Sequence, residues 1–222
     1  PELWFSQESP LDLSLRIQSL PVETLSRLFL AESPVRGDLS LDLAAGGTPL
    51  APDLRADLLF DRILVPRESA PLAAGRLALE VAGVAEDLSL TGKYEHPETQ
   101  PLLIDASLPF HPATWARGER KVTDETIALT AKMERSSLAF LAGQIPAIES
   151  ITGEIAIDAA VEGTLAKPEI RGSGLLDVDR LRLADRNAPS LRDIDLSARF
   201  EDNRFLLERL HAIVAGGIVE GS

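Results

Sequence analysis

Shifting the chain by 116 positions, so that Gly37 falls on Gly153, lays Val35 to Leu59 onto Ile151 to Leu175 without a gap. Asp42 then meets Asp158, Gly47-Thr48 meets Gly163-Thr164, Pro52 meets Pro168 and Arg55 meets Arg171. Leu39, Leu41 and Leu43 fall on Ile155, Ile157 and Ala159, and upstream Leu11, Leu13, Leu15 and Ile17 meet Ile127, Leu129, Ala131 and Met133. Downstream one more residue is needed: at an offset of 117 (Leu77 to Ile194), Leu77, Leu79 and Val81 meet Ile194, Leu196 and Ala198. A repeat carrying several strands per unit predicts an elongated, stacked architecture more than a closed globule. The division falls at 1–110 and 111–222. Each unit is cut mid-repeat, and the two form one continuous elongated module.

The units are read as strands because their apolar residues recur every second position. Ile155, Ile157, Ala159 and Val161 interleave with Glu154, Asp158 and Glu162, which gives one buried face and one wetted face. The same alternation runs from Leu11 to Leu20, through Leu102, Ile104, Ala106 and Leu108, and through Ile194, Leu196, Ala198 and Phe200. Gly75 to Gly83 and Asp87 to Tyr94 read as a hairpin, and Asp202-Asn203 turns the chain into a strand from Phe205 to Val214. Leu58-Leu59 breaks the alternation, as does Leu175-Leu176, which predicts a bulge at each. Two short helices are expected. One starts at Pro21 with Leu25, Leu28 and Phe29 on its apolar side. The other runs from Ser136, as cap, to Ile145, with Leu138 and Leu141 apolar. Phe110 to Asp124, rich in Pro, Gly and charge, reads as the seam between units. The fold class is all-β with one or two short helices.

Hydrophobic content is 45% but aromatics are only 5%, so the apolar material is aliphatic. A formal charge of -13 argues against nucleic acid, which needs a basic footprint, and against adsorption to an anionic membrane surface. With no cysteine there is no disulfide framework, thiolate zinc site or cysteine nucleophile. No run approaches the roughly 18 apolar residues of a membrane span. Pro1-Glu2-Leu3-Trp4 is unlike a signal peptide, and strand-like sequence continues to the last residues, so the chain reads as an internal piece of a longer protein.

Reactive side chains do not converge. His96, His111 and His211 are scattered and lack metal-ligand spacing, so they read as surface or turn histidines. Glu154, Asp158 and Glu162 could be the paired carboxylates of a glycosidase or a calcium-binding edge. A solvated strand face explains them as well, and at the offset only Asp38 and Asp42 are kept, with Gly46 third. Arg171-Gly172-Ser173-Gly174 lacks the lysine of a phosphate loop and the helix of a dinucleotide fold. No Gly-x-Ser-x-Gly elbow is present. No catalytic residue, metal or cofactor is expected.

The run from Gly163-Thr164-Leu165-Ala166-Lys167-Pro168 to Ile170 and Gly172 resembles the recurring "GTLAxPxIxG" phrase of the TamB proteins. Asp193-Ile194-Asp195-Leu196 with Phe200, then Arg204 to Leu210 and Ala215-Gly216-Gly217, is similar to their usual continuation. Leu103 to Pro109, before a loop and a new Ile-Ala-Leu strand, is also like them. The resemblance covers most of the chain, best over 150–222, and implies membership of the wider AsmA-like group of bacterial envelope proteins. These are anchored in the inner membrane and reach through the periplasm toward the outer membrane. It implies an elongated U-shaped sheet, a β-taco, built from repeats with an apolar concave face, and a role in phospholipid transport between the membranes and in outer-membrane assembly. The implied partners are phospholipid acyl chains and, for the full-length protein, an outer-membrane barrel of the TamA type; this segment would be a monomer. No catalytic residue belongs to the family. Neither the membrane anchor nor the C-terminal region that meets the barrel is recognisable in this chain.

Under that resemblance the apolar strand positions line a lipid-facing groove. Those of the first unit are Leu11, Leu13, Leu15, Leu39, Leu41, Leu43, Leu77, Leu79, Val81 and Ile104. Those of the second are Ile127, Leu129, Ile155, Ile157, Val161, Ile194, Leu196 and Phe200. The alternative is a scaffold or chaperone that pairs strands with nascent outer-membrane barrel or autotransporter segments. Whether the groove is open, or filled as a core between two sheet walls, is the question that a structure answers.

Overall fold

The computed structural model describes residues 9–22, 36–64, 74–84, 86–145, 147–185, 187–189, 191–201 and 203–222. The strands in chain order are β1 (Leu13–Pro21), β2 (Arg36–Thr48), β3 (Ala51–Leu64), β4 (Gly75–Val84), β5 (Asp87–Glu95) and β6 (Leu102–Pro109). They continue as β7 (Ala128–Ser137), β8 (Ile148–Thr164), β9 (Lys167–Leu183), β10 (Leu191–Glu201), β11 (Arg204–Val214) and β12 (Gly217–Gly221). All twelve form one sheet in strict sequence order, every neighbouring pair antiparallel, so the sheet is an open meander. Among the described residues, its connections carry the short helices α1 (Pro112–Ala116) and α2 (Leu141–Gln144).

The pairing registers at the two ends of the 116-residue offset coincide. Ile17 pairs with Leu41 as Met133 pairs with Ile157, and both ladders slip at the next step, between Ile17 and Leu20 and between Met133 and Ser136. The β2–β3 turn closes on Thr48 Oγ1, which accepts the Ala51 N–H at 3.2 Å; Thr164 Oγ1 accepts the Lys167 N–H at 3.1 Å in the β8–β9 turn. Further along, Leu77 pairs with Phe60 while Leu196 pairs with Leu176, the residue at the offset of Phe60. The structural offset there is therefore 119 (Leu77 to Leu196), not the 117 expected from the sequence. A slip of two residues returns every side chain to the same face, so hydrophobic alternation cannot detect it.

Three local expectations are corrected. Leu58-Leu59 and Leu175-Leu176 lie in uninterrupted ladders. The irregularities fall instead at Arg36/Asp38 and Thr152/Gly153, beside Gly37 and Gly153. Leu59 and Leu175 break the alternation because they sit on the wetted face among short neighbours, Ser40 and Ala78 in one case, Ala156 and Ser197 in the other. Ser136 is not a helix cap: α2 starts later, on Phe140 without a side-chain cap, and the buried Ser136 hydroxyl accepts the Gln100 N–H at 2.6 Å. The helix expected over Leu25 to Phe29 lies outside the described residues.

Packing against the apolar face comes from the chain's own excursions. Between β7 and β8, Leu138 is fully buried against Ile148, Ile151 and Val178, with Leu141 of α2 beside it. Between β6 and β7, Phe110 lies over Gly83 and Leu88, and its ring meets Trp115 of α1 edge-on at 5.8 Å. Trp115 Nε1 donates to Glu125 Oε1 at 3.0 Å and Arg120 Nη2 to Glu125 Oε2 at 2.9 Å, which satisfies a carboxylate only 2% exposed. The Leu165 and Ala166 N–H groups donate to the Glu125 and Thr123 carbonyls at 3.1 and 2.8 Å, pinning this excursion to the β8–β9 turn. His96 is buried rather than on the surface, because the Phe140 ring stands 5.4 Å away and the Glu98 N–H donates to its Nδ1.

Candidate functional site: the apolar face of the sheet

Cross-strand partners share a face, so the registers can be followed from strand to strand across the sheet. One row runs Leu15, Leu43, Ala56, Val81, Leu90, Ala106, Leu129, Val161 and Ile170. The next runs Ile17, Leu41, Leu58, Leu79, Gly92, Ile104, Ala131, Ala159, Gly172, Phe200 and Phe205. A third runs Leu20, Leu39, Phe60, Leu77, Tyr94, Leu102, Met133, Ile157, Gly174, Ala198 and Leu207. A shorter one links Ile155, Leu176, Leu196 and Leu210. These rows carry no charge. Twelve strands about 4.8 Å apart make the surface roughly 50 Å long across the strands.

The opposite face is charged. The row Arg16, Asp42, Asp57, Glu80, Thr91, Asp105 and Thr130 alternates with the apolar rows. Its ion pairs are exposed: Arg16 Nε to Asp42 Oδ2 at 2.8 Å, Arg171 Nη1 to Glu162 Oε2 at 3.2 Å, and Arg209 Nη1 to Asp195 Oδ2 at 3.0 Å. Such pairs contribute little stability, about 0 to 1 kcal/mol each. They keep this side in water, whereas the other side carries the uncharged rows. Glu154 pairs with Arg135 at 3.5 Å, while Asp158 stands opposite Lys132, so the three carboxylates are spread along a wetted strand. Among the described residues no group of three or more His, Asp or Glu could hold a metal ion.

Every expected lining residue within a strand lies on the apolar face. Ile194 belongs with Val178 near the β7–β8 excursion, Leu11 stands two residues before β1 and Ile127 directly precedes β7. Alternation in β3, β5, β9 and β11 adds Ala56, Leu58, Phe60, Leu90, Tyr94, Ile170, Leu176 and Leu207, which the sequence reading left out. Tyr94 is a lone phenol in an aliphatic row, which hydrophobic alternation does not single out; burial there pushes its pKa above 10.0.

No second layer covers the middle of this face among the described residues. Leu41, Leu58, Leu79, Ile104, Ala131 and Ile157, on strands β2 to β8, are only half-buried. A β-carbon on Gly174, in the third row, would meet nothing within 4 Å. The whole chain exposes 14559 Å². A compact monomer of 23.9 kDa would expose about 9,900 Å². No helix among the described residues is long and apolar enough to cross a membrane. No protein-family model, no curated protein and no solved structure matches this chain.

Proposed function

We propose that this chain is a periplasmic segment of a TamB-like, AsmA-like envelope protein, anchored elsewhere in the bacterial inner membrane, whose apolar sheet face conducts phospholipid between the two membranes. The sheet curls into a U-shaped β-taco built from repeats, with the apolar face concave, and acts without catalysis as a monomer. Lipid passage supports outer-membrane assembly, in concert with a barrel of the TamA type in the full-length protein. One observation carries this reading: rows of aliphatic residues cross up to eleven strands without a charge and without a covering layer in their middle. The coincident registers 116 residues apart support the repeat, and the TamB-like phrases support the family.

The energetics are those of desolvation. An acyl chain of about 16 methylenes gains on the order of 13 kcal/mol on leaving water, at roughly 0.8 kcal/mol per methylene. A lipid crosses an aqueous compartment only if that burial is matched at each point of the route. Aliphatic rows running from strand to strand match it continuously, whereas rows running along a single strand would not. Photo-crosslinkers at Leu129, Ile157 and Leu196 in the full-length protein should capture phospholipid in cells, while crosslinkers at Asp158 and Asp195 should not. Equal labelling of both faces, or of neither, would overturn the reading.

A further inference from the structure

The four apolar rows hold one hydroxyl. Tyr94 stands in the third row between Leu77 and Leu102. Its ring lies over Gly75, where a β-carbon would be 2.5 Å from Tyr94 Oη and 2.7 Å from Cε2, so the pose depends on a glycine. Among the described residues the hydroxyl has no hydrogen-bond partner, and burial is the one influence on its proton. Packing explains the ring but not the hydroxyl. In the second unit the pair Leu77–Tyr94 recurs as Leu196–Leu210, and at the structural offset of 119 Gly75 becomes Ile194. Apolar bulk alone serves the fold there, and a phenylalanine would supply it at Tyr94.

The phenol also stands at a margin. Gly75 opens β4, Tyr94 is the last residue but one of β5, and Leu102 opens β6. At the opposite margin Phe110 lies over Leu88. From Tyr94 to Leu88 along β5 is about 20 Å at 3.4 Å per residue. The chains of one bilayer leaflet need about 15 Å. An acyl chain laid along β5 over Gly92 and Leu90 therefore crosses the rows with its head end at Tyr94. The half-buried hydroxyl can bond to water while this surface is bare. A covering acyl chain expels that water, and a donor left without an acceptor is costly.

We propose that the Tyr94 hydroxyl donates to an ester carbonyl of a diacyl glycerophospholipid, so that the glycerol backbone halts at the margin of β4 to β6 with its acyl chains lying inward. This rests on the lipid-conducting reading of the face and makes Tyr94 a specificity residue within it. The ester carbonyl is the acceptor found where hydrocarbon meets head group, and a tyrosine at an apolar margin places its donor at that level. A lipid without the carbonyl leaves the donor unpaired, which selects against it.

The test compares vesicles of dipalmitoyl phosphatidylethanolamine with vesicles of its dihexadecyl ether analogue, which keeps the phosphate and both chains but lacks the carbonyls. Capture is read in the full-length protein by a photo-crosslinker at Leu90, on the strand and face of Tyr94. The ester lipid should be captured about threefold to tenfold more than the ether lipid, the range of one net hydrogen bond. Tyr94→Phe keeps the ring and loses the hydroxyl, so it should melt with the parent protein and capture the two lipids equally. The phenolate midpoint of Tyr94 should rise further with the ester lipid than with the ether lipid, because a hydrogen bond donated by the phenol favours its neutral form. Equal capture by the parent protein, a preference that persists in Tyr94→Phe, or a midpoint indifferent to the ester linkage would each overturn the proposal and leave the lipid reading in place. Capture of neither lipid would overturn both.

Discussion

Gly153 stands against Asp177 across the β8–β9 ladder so closely that a β-carbon would lie 2.1 Å from the Asp177 carbonyl oxygen, and its φ is +144°. At the offset, Gly37 faces Asp61 with φ +150° and a β-carbon distance of 2.8 Å. Both sit where the ladder gains a residue, and the close backbone approach is what lets the strand bend. Gly153→Ala should destabilise by about 2 to 3 kcal/mol, since neither φ nor the space suits a side chain. Gly37→Ala should also destabilise. Gly174→Ala, with open space around it, should change stability by less than about 1 kcal/mol. Urea denaturation of the three variants checks the order.

The Glu125 carboxylate holds the β6–β7 excursion by accepting from both Trp115 and Arg120. Glu125→Ala leaves the indole N–H without its acceptor, whereas Arg120, half exposed, returns to water. The expected loss is about 1 to 3 kcal/mol. Glu125→Gln keeps an oxygen for the indole and should lose less. A red shift of Trp115 emission in Glu125→Ala, absent in Glu125→Gln, would report loosening of α1 before global unfolding.

Alternation made most strands legible, because a sheet with one wetted face writes its period of two directly into the sequence. β4, β5 and β6 fall within a residue or so of where Gly75, Asp87 and Leu102 suggested. Register was less legible. The sequence offset between β4 and β10 falls two residues short of the structural one, since Leu77 fits Ile194 and Leu196 equally on hydrophobicity. The leucine pairs suggest bulges that the ladders do not have there, and Gly37 and Gly153, which align at the offset, mark the irregularities better. The burial of His96 had no local signal, because it depends on Phe140, which arrives from another connection. The open middle of the apolar face was not legible at all, since the same residues could have packed against a second sheet.

Ile157 tests whether that middle is open in solution. It pairs with Met133 on one side and on the other with Gly174, where there is room for a longer side chain. In Ile157→Arg the guanidinium can extend over Gly174 into solvent, so the protein should stay folded with a loss of no more than about 2 kcal/mol. A filled core would instead lose several kcal/mol and collapse. Lipid capture at Leu196 should fall sharply in the same variant, because a charge interrupts the third row beside it. A thermal melt paired with the crosslinking assay reads both outcomes.

Tyr94 is the sole tyrosine and lies in the third apolar row between Leu77 and Leu102, so it reports on that surface alone. Burial raises its pKa above the ordinary 10.0 by disfavouring the phenolate. The folded state thus holds the proton more tightly than the unfolded chain. Its contribution to stability is whole below pH 10 and is lost as pH rises through the raised folded value. Absorbance titration near the phenolate band should give a midpoint above that of the denatured protein. Phospholipid or detergent on the apolar face removes more water from the ring, so the midpoint should rise again in its presence. An unmoved midpoint at saturating lipid would show that acyl chains do not reach the third row at β5.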